Sequence, residues 1–332
     1  MRSPCFLPGP FVLATLVASA SASSAGCGAE VDGDPDGEAS PRSSSRGVST
    51  CVVDVSASVT AIVATAHGLV LGEGDDAGIV IRRFEGEGCA LRPTDDAPIA
   101  ASGLLDADDA GNVYVRPAAS ADPTIVSTDL PDAVRFGTVV KVDREGRASN
   151  LVTAGRGIWD FGVSPTGETL WMTACGPTGI FSLESSGLAD AMTPPETLWA
   201  QRPSVLTDDD TFWSVGYETC APGAPTSDAC GLALTRTTAE ESEEVGSTLV
   251  DFGDGLEEGA LARCGSRVCG AFSSGLVVWG VDGASRVTLS ARDLGARPTE
   301  HVGRVTGDDA GVYVLLRGDD GSRVLFLATS RR

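Results

Sequence analysis

Few side chains in this sequence could carry chemistry on their own, and their spacing narrows the options. There are two histidines, His67 and His301, and Lys141 is the one lysine. Schiff-base chemistry is therefore confined to Lys141. A Ser-His-Asp mechanism would need a histidine beside an activated serine, and no G-x-S-x-G turn is written anywhere in the chain. The nine cysteines lack the clustered Cys-x-x-Cys spacing that zinc ligation favours. They read instead as disulfide partners. Cys264 and Cys269 face each other across a hairpin turn, Cys220 and Cys230 flank a proline-rich loop, and Cys51 with Cys89 makes a third pair. Cys175 is then the odd thiol, and without a neighbouring histidine it reads as buried and inert rather than nucleophilic. Of the carboxylates, Asp108-Asp109, Asp208-Asp210 and Asp308-Asp309 fall in similar turns, where they accept backbone hydrogen bonds. Asp32, Asp34, Asp36 and Gly37 open like a calcium loop, yet Ser43 stands where that loop needs a bidentate Glu. Calcium is thus the one cofactor these carboxylates could hold, and no other is expected.

The elements that position these residues recur. "AIVATAHGLVLG", "GLLDADDAGNVYV", "WDFGVSPTGETLWM", "SVLTDDDTFWSV", "ALARCGSRVCGAF" and "GRVTGDDAGVYVLL" each write a strand, a tight turn and a second strand. The turns centre near Ala66, Asp109, Pro165, Asp209, Gly265 and Asp309, at intervals of about 43–56 residues. In "DDAG" and "SPTG" an Asp or Ser opens the turn and Gly closes it, which reverses a strand within four residues. Weaker apolar strands follow in each unit, so every unit holds about four. Gly 41, Pro 18 and 42% hydrophobic residues suit a turn-rich β protein with a large core.

Six such units resemble a β-propeller, and "DDAGNVYV" is similar to the repeats of NHL-type, WD40-like extracytoplasmic propellers. The resemblance covers Thr50 to Arg332 and implies an all-β propeller of six blades. Seven blades are the alternative count, and a β-sandwich pair is the alternative architecture. The last unit lacks an outer strand after Leu327, while "TCVVDV" at 50–55 is spare. An N-terminal strand that pairs with the last unit would close the ring and cover both edges.

The amino terminus reads as an address. A weakly positive Met1-Arg2-Ser3 precedes an apolar stretch from Phe6 to Ala20 and a run of small residues before Cys27. "SAGC" resembles the lipobox of bacterial lipoproteins, which implies lipidation of Cys27. An ordinary secretory cut after Ala20, Ala22 or Ala25 is the alternative. The expected organisation is a signal peptide at 1–26, a disordered acidic and Ser-rich tether at 27–49, and the propeller at 50–332. The expected location is the bacterial cell envelope, lipid-anchored at the outer membrane or in the periplasm, or the secreted fraction. Membrane contact would be through the lipid alone. With 24 Lys+Arg against 46 Asp+Glu, the net charge of −22 excludes nucleic acid as a partner.

If the blade register holds, Arg156, Trp159, Asp160, Arg202, Glu257, Glu258, Arg297, Glu300 and His301 lie near strand starts on the face opposite the tight turns. The long insertions at 117–136 and 221–228 would rise from that same face, where a rigid scaffold usually carries its binding loops. His67 and His301 would sit at opposite ends of the ring and cannot share a metal. The function expected is that of a monomeric, non-enzymatic binding or scaffold module for a protein or glycan. The competing class is a metal-dependent propeller enzyme, lactonase- or lyase-like, with acidic mouth residues as ligands.

Overall fold

The computed structural model describes residues 50–328 apart from 57, 76–77, 96–98, 102–104, 117–137, 154–157, 175–177, 185–186, 193–202, 218–231, 249–259, 273–274, 281–282 and 284–285. The chain divides into Met1–Gly47 and Val48–Arg332, and every described residue lies in the second unit. Strand β1 (Thr50–Val53) stands alone in sequence. The first repeat follows as β2 (Val59–Thr65), β3 (Gly68–Asp75), β4 (Gly78–Glu85) and an outer strand in two pieces, β5 (Arg92–Pro93) and β6 (Ile99–Ala101). The second is β7 (Leu105–Ala107), β8 (Val113–Val115), β9 (Thr138–Val142) and β10 (Ala148–Thr153). The third is β11 (Ile158–Val163), β12 (Thr169–Ala174), β13 (Gly179–Glu184) and β14 (Gly187–Met192). The fourth is β15 (Ser204–Leu206), β16 (Phe212–Tyr217), β17 (Leu232–Thr237) and β18 (Ser242–Thr248). The fifth is β19 (Ala260–Cys264), β20 (Arg267–Phe272), β21 (Gly275–Trp279) and β22 (Arg286–Ser290). The sixth has three strands of its own, β23 (His301–Gly307), β24 (Gly311–Gly318) and β25 (Gly321–Ala328).

Within each repeat the strands pair antiparallel in chain order, the pattern that short turns between alternating apolar strands impose. The fifth and sixth repeats join into one eight-stranded sheet through a single parallel bridge between Cys264 and Gly307. The sixth repeat gains its fourth strand from the other end of the chain: β1 pairs antiparallel with β25, with Thr50 opposite Leu327 and Val53 opposite Val324. The six first strands, β2, β7, β11, β15, β19 and β23, touch one another in that order, and β23 touches β2. The ring of first strands is therefore closed, and the fold is an all-β propeller whose described strands fall into six repeats.

Six apolar clusters lie between consecutive repeats. Val70, Ile79 and Ile81 of the first meet Val113, Val115 and Val140 of the second, and so on round to Tyr313 and Phe326 of the sixth, which meet Leu69 and Phe84 of the first. Because both faces of a sheet are covered, β12 is buried at all six positions and loses the alternation of a one-sided strand.

The tight turns form as their residues dictate. Asp108 accepts the N–H of Asn112 on Oδ1 at 2.9 Å, while the N–H of Gly111 donates to the Asp108 carbonyl at 3.0 Å. Gly111 has φ +82°, a left-handed value that glycine tolerates without strain. Asp308 repeats the device, accepting from the N–H groups of Ala310 and Gly311. Among the described residues two disulfides are present, Cys264–Cys269 within the β19–β20 hairpin and Cys51–Cys89 between β1 and the loop after β4. Cys27, Cys175, Cys220 and Cys230 lie outside the described residues, as do both long insertions. Among the described residues no helix is long and apolar enough to cross a membrane.

The channel as candidate functional site

The first strands of all six repeats enclose a central cavity of about 150 Å³. An inner strand has no partner on its channel side, so its backbone N–H groups there need other acceptors. Asp106 on β7 supplies them: Oδ1 accepts the N–H of Ala107 at 2.8 Å, and Oδ2 crosses to the next repeat and accepts the N–H of Val163 at 2.7 Å. Asp160 on β11 accepts the N–H of Phe161 at 2.9 Å. Across the cavity stand Arg263 on β19 and Arg304 on β23. Arg263 donates from Nη2 to Oδ1 of Asp109 in the second repeat's turn at 2.6 Å. Arg116, just after β8, donates to the carbonyl of Ile158 at 2.5 Å.

These groups occupy two levels. Asp106 and Arg263 are each one residue from the turn end of their strands, whereas Asp160 and Arg304 are each three residues from it. The levels are thus two residues apart, about 7 Å at roughly 3.3 Å per residue. On a six-membered ring the second and fifth repeats face each other, as do the third and sixth. Each level therefore opposes an aspartate to an arginine.

Water reaches Asp160 along the channel, yet protein surrounds both carboxylates. Burial pushes Asp106 up to about 6, against the opposing pull of its two N–H donors and Arg263, with the nearby Asp160 charge adding to the rise. Burial raises Asp160 as well, with Arg304, the Phe161 N–H and Arg116 drawing it back. The indole N–H of Trp171 on β12 also borders the cavity; it is buried and has no acceptor among the described residues. Trp171 stands opposite Gly162 in the ladder, and a Cβ on Gly162 would collide with the indole nitrogen and come within 3.0 Å of Asp106 Oδ2. A bare backbone at position 162 is what keeps this corner open.

The turn face is chemically different. Asp108 is fully buried, and its Oδ2 accepts from Asn112 Nδ2 at 2.7 Å and from the Tyr114 hydroxyl at 2.8 Å. Burial and the Asp108 charge hold the Tyr114 phenol well above its usual range. The N–H of Asp109 donates to the Pro165 carbonyl at 2.8 Å, and the Thr166 hydroxyl donates to Asp209 Oδ1 at 2.6 Å. The Asp209 carboxylate and the Asp109 N–H bind one repeat to the next, while the Asp108 carboxylate ties its turn to Asn112 and Tyr114 of the same repeat. Among the described residues no group of three or more His, Cys, Asp or Glu is gathered to hold a metal.

Of the mouth residues expected from sequence, Asp160 is in the channel. His301 opens β23 and is exposed. Arg297 and Glu300 are drawn to the outer side of the sixth repeat, where Glu300 accepts from Arg323 Nε at 2.9 Å and Nη2 at 2.7 Å. Trp159 is a position in β11 whose side chain lies outside the described part, and Arg156, Arg202, Glu257 and Glu258 lie outside the described residues altogether. His67 sits in the β2–β3 turn, close to Gly111, and so occupies the turn end of the ring while His301 occupies the other. From the sequence Trp171 reads as a core tryptophan after a turn, and Asp106, Arg116, Arg263 and Arg304 are not singled out. For Asp106, Arg263 and Arg304 the available signal was a charged residue inside a first strand, one or three residues before its turn end.

No protein-family model matches the chain, and no curated protein matches it either. Among solved structures, the chain is similar to the β-propeller domain of Myceliophteria thermophila Cps50 (Swd1), at 12% identity and TM-score 0.46, covering 85% of this chain and 100% of that one. A chain in the crystal structure of a nidogen/laminin complex is similar at 11% identity and TM-score 0.45, covering 76% and 96%. Likenesses this remote carry no weight beside the strand pairing, from which the fold follows directly.

Proposed function

We propose that this propeller is an exported binding module, anchored to the cell envelope through a lipid on Cys27, that receives a protein or glycan partner at the channel mouth opposite the tight turns. The observation that supports the choice of face is the unequal use of polar groups. Turn carboxylates are engaged within the protein, Asp108 by Asn112 and Tyr114 of its own repeat and Asp209 by Thr166 of the neighbouring one, whereas Asp160 and Arg304 are exposed toward the channel near the other end. Polar groups accessible on a rigid scaffold are what a partner can use. Two disulfides support the oxidising compartment.

A photo-crosslinking residue at position 301, on the mouth rim, is expected to yield a discrete adduct in intact envelopes. The same residue at 208, on the turn face, is expected to yield none. Equal labelling from both faces, or none from 301, would reject the mouth as the binding face. Detergent partitioning tests the anchor separately: Cys27→Ser should move the protein to the aqueous phase, and unchanged partitioning would remove the lipid from the reading.

A further inference from the structure

The channel carries its charge in a sided pattern that a macromolecule at the rim would not require. Asp106 and Asp160 come from the adjacent second and third repeats, and Arg263 and Arg304 come from the adjacent fifth and sixth. Between them, the first repeat contributes Ala61 and Val63, and the fourth contributes Pro203 and Val205. One wall is therefore acidic, the facing wall is basic, and the two dividing walls are apolar. Arg116 stands on the acidic side, where its donation to the Ile158 carbonyl and the proximity of Asp160 occupy it. Arg263 is already paired with Asp109. Arg304 makes no ion pair among the described residues that reaches the partner distance of its neighbours, and it faces Asp160 across the channel.

A buried donor without an acceptor is rare in a folded protein and normally has a reason. The Trp171 N–H is such a donor, and it borders this same cavity beside the gap left by Gly162. A ligand atom that approaches there also meets the Asp106 carboxylate, since a Cβ on Gly162 would come within 3.0 Å of Asp106 Oδ2. A simple anion would meet Asp106 and Asp160, and a simple cation would meet Arg304. Opposite charges on one small molecule answer both walls. The volume of about 150 Å³ holds roughly five waters at about 30 Å³ each, which suits a molecule of amino-acid size.

The geometry points to a binding site in the channel for a small zwitterion of the amino-acid class, its ammonium toward Asp106 and Asp160 and its carboxylate toward Arg304. This goes beyond the macromolecular partner at the rim and does not depend on it. A titration of purified protein with small molecules can fail while the crosslink from 301 stands, and the reverse.

The experiment is calorimetric titration of the full chain near neutral pH with glycine, β-alanine, 4-aminobutyrate and the free L-amino acids, with acetate and methylammonium as half-ligands. At least one zwitterion is expected to bind saturably, one per chain, and neither half-ligand should match it. Arg304→Met and Asp160→Asn are each expected to weaken that binding about tenfold or more. The two channel-exposed variants should keep the unfolding midpoint of the parent, which separates loss of binding from loss of fold. Three results would overturn the site: no zwitterion binding up to about 10 mM, a half-ligand that binds as tightly as any zwitterion, or unchanged binding in a folded Arg304→Met or Asp160→Asn protein.

Discussion

Asp106 joins the second repeat to the third through Val163, and the sign of its titration follows from where it sits. Its folded pKa of about 6 lies above the ordinary 3.8 because burial disfavours the charged form. Between those values the folded state holds a proton that the unfolded chain has released. Asp106 therefore adds stability at low pH that is lost as pH rises through about 6. Asp106→Asn removes that dependence, so the variant's stability relative to the parent should improve from pH 4 toward pH 7. Urea unfolding across that range measures it, and a constant difference would mean that Asp106 titrates normally. Gly167 gives a second test on the same scale. It has φ +74°, and a Cβ there would collide with the Tyr114 hydroxyl and come within 2.7 Å of Asp108 Oδ2. Gly167→Ala adds left-handed strain to the loss of the Tyr114–Asp108 bond, and should lower stability by about 2 kcal/mol or more. A urea midpoint equal to the parent's would show that the turns do not lock the second repeat to the third.

At the scale of elements, the segment between β22 and β23 holds a shape without regular structure because Glu300 organises it. Glu300 accepts two bonds from Arg323 on β25 and one from the N–H of Arg297 at 2.7 Å, while Arg323 also donates to the Gly295 carbonyl at 2.6 Å. The Arg323 guanidinium is the main cause of a Glu300 carboxyl held below its usual range. That stabilisation is present above the unfolded pKa and lost as pH falls through the folded one. Glu300→Gln should cost about 1–3 kcal/mol at neutral pH and less in acid, as denaturant midpoints at the two pH values would show. The strands and turns of this ring were legible because their causes are local. An Asp that opens a turn and a Gly that closes it act within four residues, so "DDAG" states its own hairpin wherever it stands. The pairing of Cys264 with Cys269 was legible for the same reason. The channel was not, because its meaning is distributed: Asp106 and Arg304 belong to strands almost two hundred residues apart, and only ring closure makes them neighbours of one cavity. In its own strand each reads as a solvated charge. Trp171 was hidden differently, since an indole after a turn reads as core, and only the absence of an acceptor marks its N–H.

The molecule as a whole depends on one seam, where its two ends meet. Elsewhere consecutive repeats are covalently continuous, but the sixth and first are joined by the packing of β2 and β3 on β23–β25 and by what β1 supplies. It supplies two kinds of bond: a four-residue antiparallel ladder with β25, and the Cys51–Cys89 disulfide to the loop after β4 in the first repeat. That loop is itself docked on the sixth repeat, where the N–H of Gly88 donates to the Tyr313 hydroxyl at 2.9 Å, and burial pushes the Tyr313 phenol up to about 12. The two bonds should fail differently. The disulfide acts chiefly on the unfolded chain by closing a loop with a sequence separation of 38 residues, a length for which chain entropy gives about 4 kcal/mol. Replacing both cysteines by serine should therefore lower stability by about 2–4 kcal/mol while β25 amides remain protected from hydrogen exchange, because the ladder persists. Deleting 50–53 removes the ladder as well and bares the β25 edge, and an unpaired edge invites pairing with another chain. The truncated protein should lose protection along β25 and self-associate with rising concentration, both measurable by exchange mass spectrometry and sedimentation. If the truncated protein instead stays monomeric with β25 protected, the seam is held by the packing of Val59 and Leu69 against Leu315 and Val324, and β1 is an ornament on a ring that closes without it. If the serine variant already exposes β25, the disulfide rather than the ladder keeps the strand in place.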